Sequence, residues 1–194
     1  IIGMLLLIWA NSYDSADGQL ARMTGKKTPL GRILDGTAGD IWFISIYAAI
    51  CARLTPQWGI WIWVFALITG IFHSKQAAMA DYYRNIHLLF LKGKAGSELS
   101  HSPVLKENYK KMSWKKDFIY KLFETFYINY TVGQERLTPK FQRMMQIIRQ
   151  DYHDQAPEWF RTAFREKSLP LMKYTNMLSF NTRVIALFIS LFID

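Results

Sequence analysis

The chain holds a single cysteine, Cys51, in 194 residues, which excludes a disulfide framework and any cysteine-based zinc site. Proline and glycine are sparse, at six and eleven, and 51% of residues are hydrophobic. Disordered, fibrous and low-complexity classes are thereby excluded. Glutamate is missing from the first 93 residues, where all five acids are aspartate. The four histidines, His73, His87, His101 and His153, show no metal-ligand spacing. No basic leader opens the chain and no cleavage site follows, which argues against a secretory signal peptide. The chain starts at Ile1 and stops inside the apolar run 184–193, and so reads as an internal piece of a longer protein.

What is present is an uneven distribution of charge. Residues 1–93 carry eight Lys/Arg and five acids, residues 94–175 carry fifteen and nine, and residues 176–194 carry one of each. From 54 to 74 there are 21 consecutive residues without a formal charge, enough to cross the roughly 30 Å hydrocarbon layer as one helix. A membrane span is expected there, although a buried helix of a large soluble protein satisfies the same length rule. Residues 1–13 and 41–52 are shorter uncharged runs that reach spanning length only if the neighbouring aspartates are counted as helix. About four spans are expected, arranged as an all-α polytopic membrane bundle.

Three regions follow: membrane helices over 1–93, a basic extramembrane or interfacial segment over 94–175, and a membrane helix over 176–194. The first helix is expected to end near Met23. A second, opened by Pro29 after Gly25, is expected to run to about Arg53, broken by Thr55-Pro56, and a third to run from about Gln57 to about Leu91. Within 94–175, residues 112–130 and 139–152 mix aromatics with Lys and Arg at helical spacing, as in Phe118, Leu122, Thr125 and Phe126 beside Lys115, Lys116 and Lys121. Helices at the lipid headgroups and a small soluble subdomain both suit this pattern. Nucleic acid is a poorer account of the net +6 over that segment, because no nucleic-acid motif accompanies it.

The aspartates of the first half carry the chemistry. Asp14, Asp17, Asp35 and Asp40 lie within otherwise apolar helices, and a carboxylate at membrane depth is a functional-site hypothesis by default. Asp14, Asp17, Gly18 and Ala21 fall at i, i+3, i+4 and i+7 and share a helical face. Grouped hard oxygen ligands suit Mg²⁺ or Mn²⁺, which usually also hold phosphate oxygens. Taken alone, a D-x-x-D pair is as well explained by solvated carboxylates, or by pairing with Arg22 and Arg32.

The longer pattern, Asp14-x-x-Asp17-Gly18-x-x-Ala21-Arg22, followed after eight residues by Gly31-x-x-x-Asp35, resembles the signature of the CDP-alcohol phosphotransferase family of integral membrane enzymes. The resemblance implies a fold of six spans, commonly dimeric, with its active site at the cytoplasmic side of the inner membrane. It implies phospholipid synthesis by transfer of a phosphatidyl group from CDP-diacylglycerol or another CDP-alcohol to an acceptor hydroxyl, releasing CMP. Two Mg²⁺ or Mn²⁺ ions would be held by Asp14, Asp17, Asp35 and Asp40, with Asp40 also the general base. Gly18, Ala21, Arg22 and Gly31, with Asp14 and the hydroxyl of Thr28, would contact the nucleotide. Lys75 and Arg84, after the third span, are candidates for an anionic acceptor of the inositol phosphate or glycerol phosphate kind.

The family's fourth Asp comes four residues after its third, whereas here Gly39 takes that place and Asp40 follows. On a regular helix Asp40 would stand about 140° from Asp35. A π-bulge in Gly36-Thr37-Ala38-Gly39 is the expected remedy. Two rivals stand beside this reading. One is a catalytically degenerate membrane scaffold of the same fold. The other is a membrane prenyltransferase, faintly suggested by Asn11-Ser-Tyr-Asp14-Ser-Ala-Asp17.

Overall fold

A computed structural model describes residues 2–24, 29–93, 96–153, 155–178 and 180–193. Among the described residues there is helix and no strand, in keeping with the all-α expectation. The order is α1 (Ile2–Met23), α2 (Pro29–Trp58), α3 (Trp61–Lys92), α4 (Ser102–Lys111), α5 (Phe118–Leu137), α6 (Pro139–Tyr152), α7 (Glu158–Ser168), a 3-10 turn (Leu169–Leu171), α8 (Met172–Met177) and α9 (Phe180–Ile193).

α2 and α3 form an antiparallel hairpin. Tyr47 meets His73 near its middle, Cys51 Sγ reaches the Ile62 carbonyl, and Trp63 Nε1 donates to Thr55 Oγ1 at 3.0 Å close to the tip. The tip corrects the expected span. Residues 54–74 are divided between two helices, because Gly59 takes a φ of +58° and its N–H returns to the Thr55 carbonyl at 2.8 Å. That is the left-handed cap with which helices commonly stop, and glycine adopts it at no steric cost. Pro56 does not break the helix at Thr55 as expected; it sits in the last turn of α2, where it withholds one N–H from the ladder and the helix ends two residues on. The stretch long and apolar enough to cross a membrane is Ala38–Trp58 in α2, the only such helix among the described residues.

α3 has 32 residues and so extends about 48 Å, further than a bilayer requires. Its far half forms the core of the polar segment. Tyr82, Ile86 and Phe90, four residues apart on one stripe, are buried with Met145 and Ile148 of α6, and Phe141, Phe160 and Phe164 pack around them. Phe90 meets Phe160 edge-on at 5.4 Å and Phe164 at 4.5 Å between centroids, geometries that add to burial. Arg161 Nε, on α7, donates to the Phe90 carbonyl at 3.0 Å, one of the carbonyls that a helix C-terminus leaves without an intrahelical partner.

The other helices are pinned by side-chain hydrogen bonds. Glu135 accepts from the backbone N–H and the hydroxyl of Ser102, at 2.9 and 2.5 Å, so a carboxylate of α5 caps the N-terminus of α4. Gln134 donates to the Ala78 carbonyl at 2.8 Å and fixes α5 across α3. Gln142 donates to the Tyr82 hydroxyl at 2.7 Å and does the same for α6.

Candidate functional site

On α1, Asp14, Asp17 and Gly18 are exposed and Ala21 is half-buried. The helix is regular through all four, so the two carboxylates lie one turn apart on one face, about 5–6 Å between Cβ atoms. This donor set of hard oxygens, with no Cβ at Gly18 to obstruct approach, fits a divalent cation and its phosphate ligands. Gly31 is exposed at the start of α2. Thr28 lies outside the described residues, as do the side chains of Arg22 and Asp35.

Asp40 requires a correction. α2 is α-helical from Pro29 to Trp58, with no π-turn at 36–39, so the bulge expected to return Asp40 to the Asp35 face is absent. Asp40 is exposed, and a Cβ at Gly39 would meet nothing within 4 Å. Five residues on a regular helix leave Asp40 about 140° from Asp35. Seven residues bring it within about 20° of Tyr47, and Tyr47 faces α3. Among the described residues no three acids, histidines or cysteines converge on one point, and α1 has no extended packing against another helix.

The Tyr47 face carries a polar cluster that the sequence reading did not assemble. The Tyr47 hydroxyl and His73 Nδ1 share a hydrogen bond of 2.7 Å, and the Phe43 ring lies 4.1 Å from the His73 ring. Arg183 of α9 donates from Nη2 to Gln76 Oε1 at 3.0 Å, close by on α3. One signal in the sequence pointed this way: Arg183 is the one basic residue in 176–194, and a charge in an apolar run asks for a partner. Lys75 and Arg84 are both exposed on α3. Nine residues apart on a regular helix, they stand about 180° and 13.5 Å from each other, so they do not converge on one acceptor.

Away from the motif, an apolar groove of about 770 Å³ lies among α3, α7 and α8, lined by Tyr83, Ile86, His87, Trp159, Phe164 and Met172 among others. His87 is buried and shares a 2.7 Å hydrogen bond with Ser168 Oγ. Burial, helped by the nearby Arg165 charge, lowers its pKa below the ordinary histidine value.

Residues 1–87 match the CDP-alcohol phosphatidyltransferase family, so the likeness read from the aspartate pattern holds over α1, α2 and most of α3. Members of that family are integral membrane transferases that make phospholipids from CDP-alcohols, generally with divalent metal ions. Residues 88–194 lie outside the match. Neither a curated protein nor a solved structure matches the chain.

Proposed function

We propose that the protein transfers a phosphatidyl or related phospho-alcohol group from CDP-diacylglycerol or another CDP-alcohol to a hydroxyl of a small polar acceptor, with release of CMP. The observation that carries this reading is the motif of residues 14–35 inside the family match, with Asp14 and Asp17 exposed on one face of α1.

Asp14, Asp17 and Asp35 would hold the cation, Mg²⁺ or Mn²⁺, as one ion or two. When bound it supplies charge neutralisation to the diphosphate. Gly18, Ala21 and Gly31 keep side-chain bulk away from the nucleotide, and Arg22 and Thr28 offer it a guanidinium and a hydroxyl. The acceptor oxygen forms the new bond to the β-phosphorus, the bridging P–O bond breaks, and CMP leaves with that electron pair. A carboxylate oxygen of Asp40 takes the acceptor proton. Standing off the Asp35 face, Asp40 suits the role of base better than that of ligand. Sharing a helical face with Tyr47, it would act beside His73, Gln76 and Arg183, groups that suit a polyol or phosphorylated acceptor. Lys75 and Arg84 would then serve separately, one at most beside the acceptor. The proposal includes a dimer in a cytoplasmic-type membrane, with the reaction on the cytoplasmic side.

The displaced Asp40 in an unbroken helix favours one alternative, a scaffold of the same fold that no longer turns over. Nucleotide binding separates the two. Full-length protein in detergent should be stabilised against heat by CDP only when Mg²⁺ is present, and Asp17→Asn should lose that stabilisation. An unfolding temperature indifferent to CDP with and without Mg²⁺ would favour the scaffold.

A further inference from the structure

α5 is packed with a mostly polar face inward, on which Ile128 is the one apolar residue buried. Lys121, Glu124, Thr131 and Gln134 are buried, with Lys121 only 7% exposed. The Lys121 ammonium donates to the Met112 carbonyl at 2.9 Å and lies over the rings of Tyr109 and Trp114. The apolar residues Ile119, Leu122, Phe126 and Leu137 stand on the opposite face, and Phe126 and Leu137 are 60% and 59% exposed. On a regular helix those four fall within about 60° of arc, a stripe interrupted between Phe126 and Leu137 by the exposed Gly133.

Two further observations say what covers the stripe. The first is its level. α5 touches both α2 and α3 and is fixed to the Ala78 carbonyl of α3. In the antiparallel hairpin, where Tyr47 meets His73, Ala78 stands near the Asp40 level of α2. The apolar stretch Ala38–Trp58 begins there. α5 therefore crosses the hairpin where the hydrocarbon layer would give way to headgroups. The second is charge. Lys115 and Lys116 precede α5, and Arg136 and Lys140 stand at its far end, all exposed; Trp114, 50% exposed, adds an aromatic anchor at the first end. Basic residues and a Trp bracketing an apolar stripe fit a helix lying in an anionic bilayer surface.

We infer that the Ile119, Leu122, Phe126 and Leu137 face of α5 is embedded in the headgroup layer of an anionic membrane, holding segment 94–175 against the bilayer beside the mouth of the α2–α3 hairpin. The polar inner face follows from the same arrangement: with lipid outside, Lys121 and Gln134 find backbone carbonyls on the protein side.

The test is spin-label accessibility in the full-length protein reconstituted into vesicles. Leu122→Cys and Phe126→Cys carry the label. Asp151→Cys, exposed at the end of α6, gives the aqueous reference, and the unaltered chain controls for buried Cys51. Collisions with oxygen should exceed those with a water-soluble nickel chelate several-fold at 122 and 126, and the order should reverse at 151. The label at 126 should lie deeper in vesicles containing anionic phosphatidylglycerol than in pure phosphatidylcholine. Chelate access at 122 and 126 equal to that at 151 would overturn the inference in favour of a face in water. Low access to both quenchers would overturn it in favour of a face covered by protein, such as a second copy. Equal depth in the two vesicle types would overturn the role given to the flanking lysines and arginine.

Discussion

At Gly59 one backbone angle decides how an uncharged run of 21 residues is used. A φ of +58° ends α2 and lets α3 return along it, so the run becomes a hairpin tip. A side chain there would cost roughly 1–2 kcal/mol, with nothing within 4 Å to offset it. Gly59→Ala should therefore lower the thermal unfolding midpoint of the detergent-solubilised protein, and an unchanged midpoint would contradict the turn. Asp40 is the other residue on which the account turns. As a base, Asp40→Asn should slow CMP release by about 10²-fold or more while leaving CDP stabilisation near the wild-type value. Loss of both together would make it a ligand instead. The displacement of this acid was plain in the sequence, but its direction was not: spacing alone does not tell a π-bulge from a regular turn, and α2 is regular.

At the scale of elements, α3 joins the family-like region to the rest of the chain. Its aromatic stripe is the core of 94–175, and truncating one of its buried rings, Phe90→Ala, should cost about 3–5 kcal/mol, read as a lowered unfolding midpoint. His87, on the same helix, makes this packing sensitive to acid. Its pKa is lowered in the folded protein by burial, so the unfolded chain binds the proton more readily. Its contribution to stability is complete above the ordinary histidine pKa of 6.5 and is lost as pH falls from there toward the lowered folded value. His87→Gln should flatten that part of a stability–pH curve, and an unchanged curve would contradict the assignment. Boundaries set by local signals were legible: α1 ends at Met23, Pro139 opens α6 and Tyr152 closes it, all as expected. The inward polar face of α5 was not, because periodicity marks two faces without saying which one the rest of the chain covers.

At the scale of the molecule, an aspartate-bearing helical hairpin of family type is joined to a basic helical layer outside the family match. The motif was legible because its carboxylates and small residues fall at fixed spacing within one short stretch of chain. The Tyr47, His73, Gln76 and Arg183 cluster was not, since it draws on three helices and its Gln76–Arg183 bond joins residues 107 positions apart. The central claim is that this assembly moves a phosphate-linked group from a CDP-alcohol. The most direct test is CMP release by purified full-length protein in detergent with CDP-diacylglycerol and Mg²⁺, across inositol phosphate, glycerol phosphate, inositol and serine. The account predicts release that requires an acceptor, requires the metal and is lost in Asp17→Asn. No release with any acceptor would contradict it.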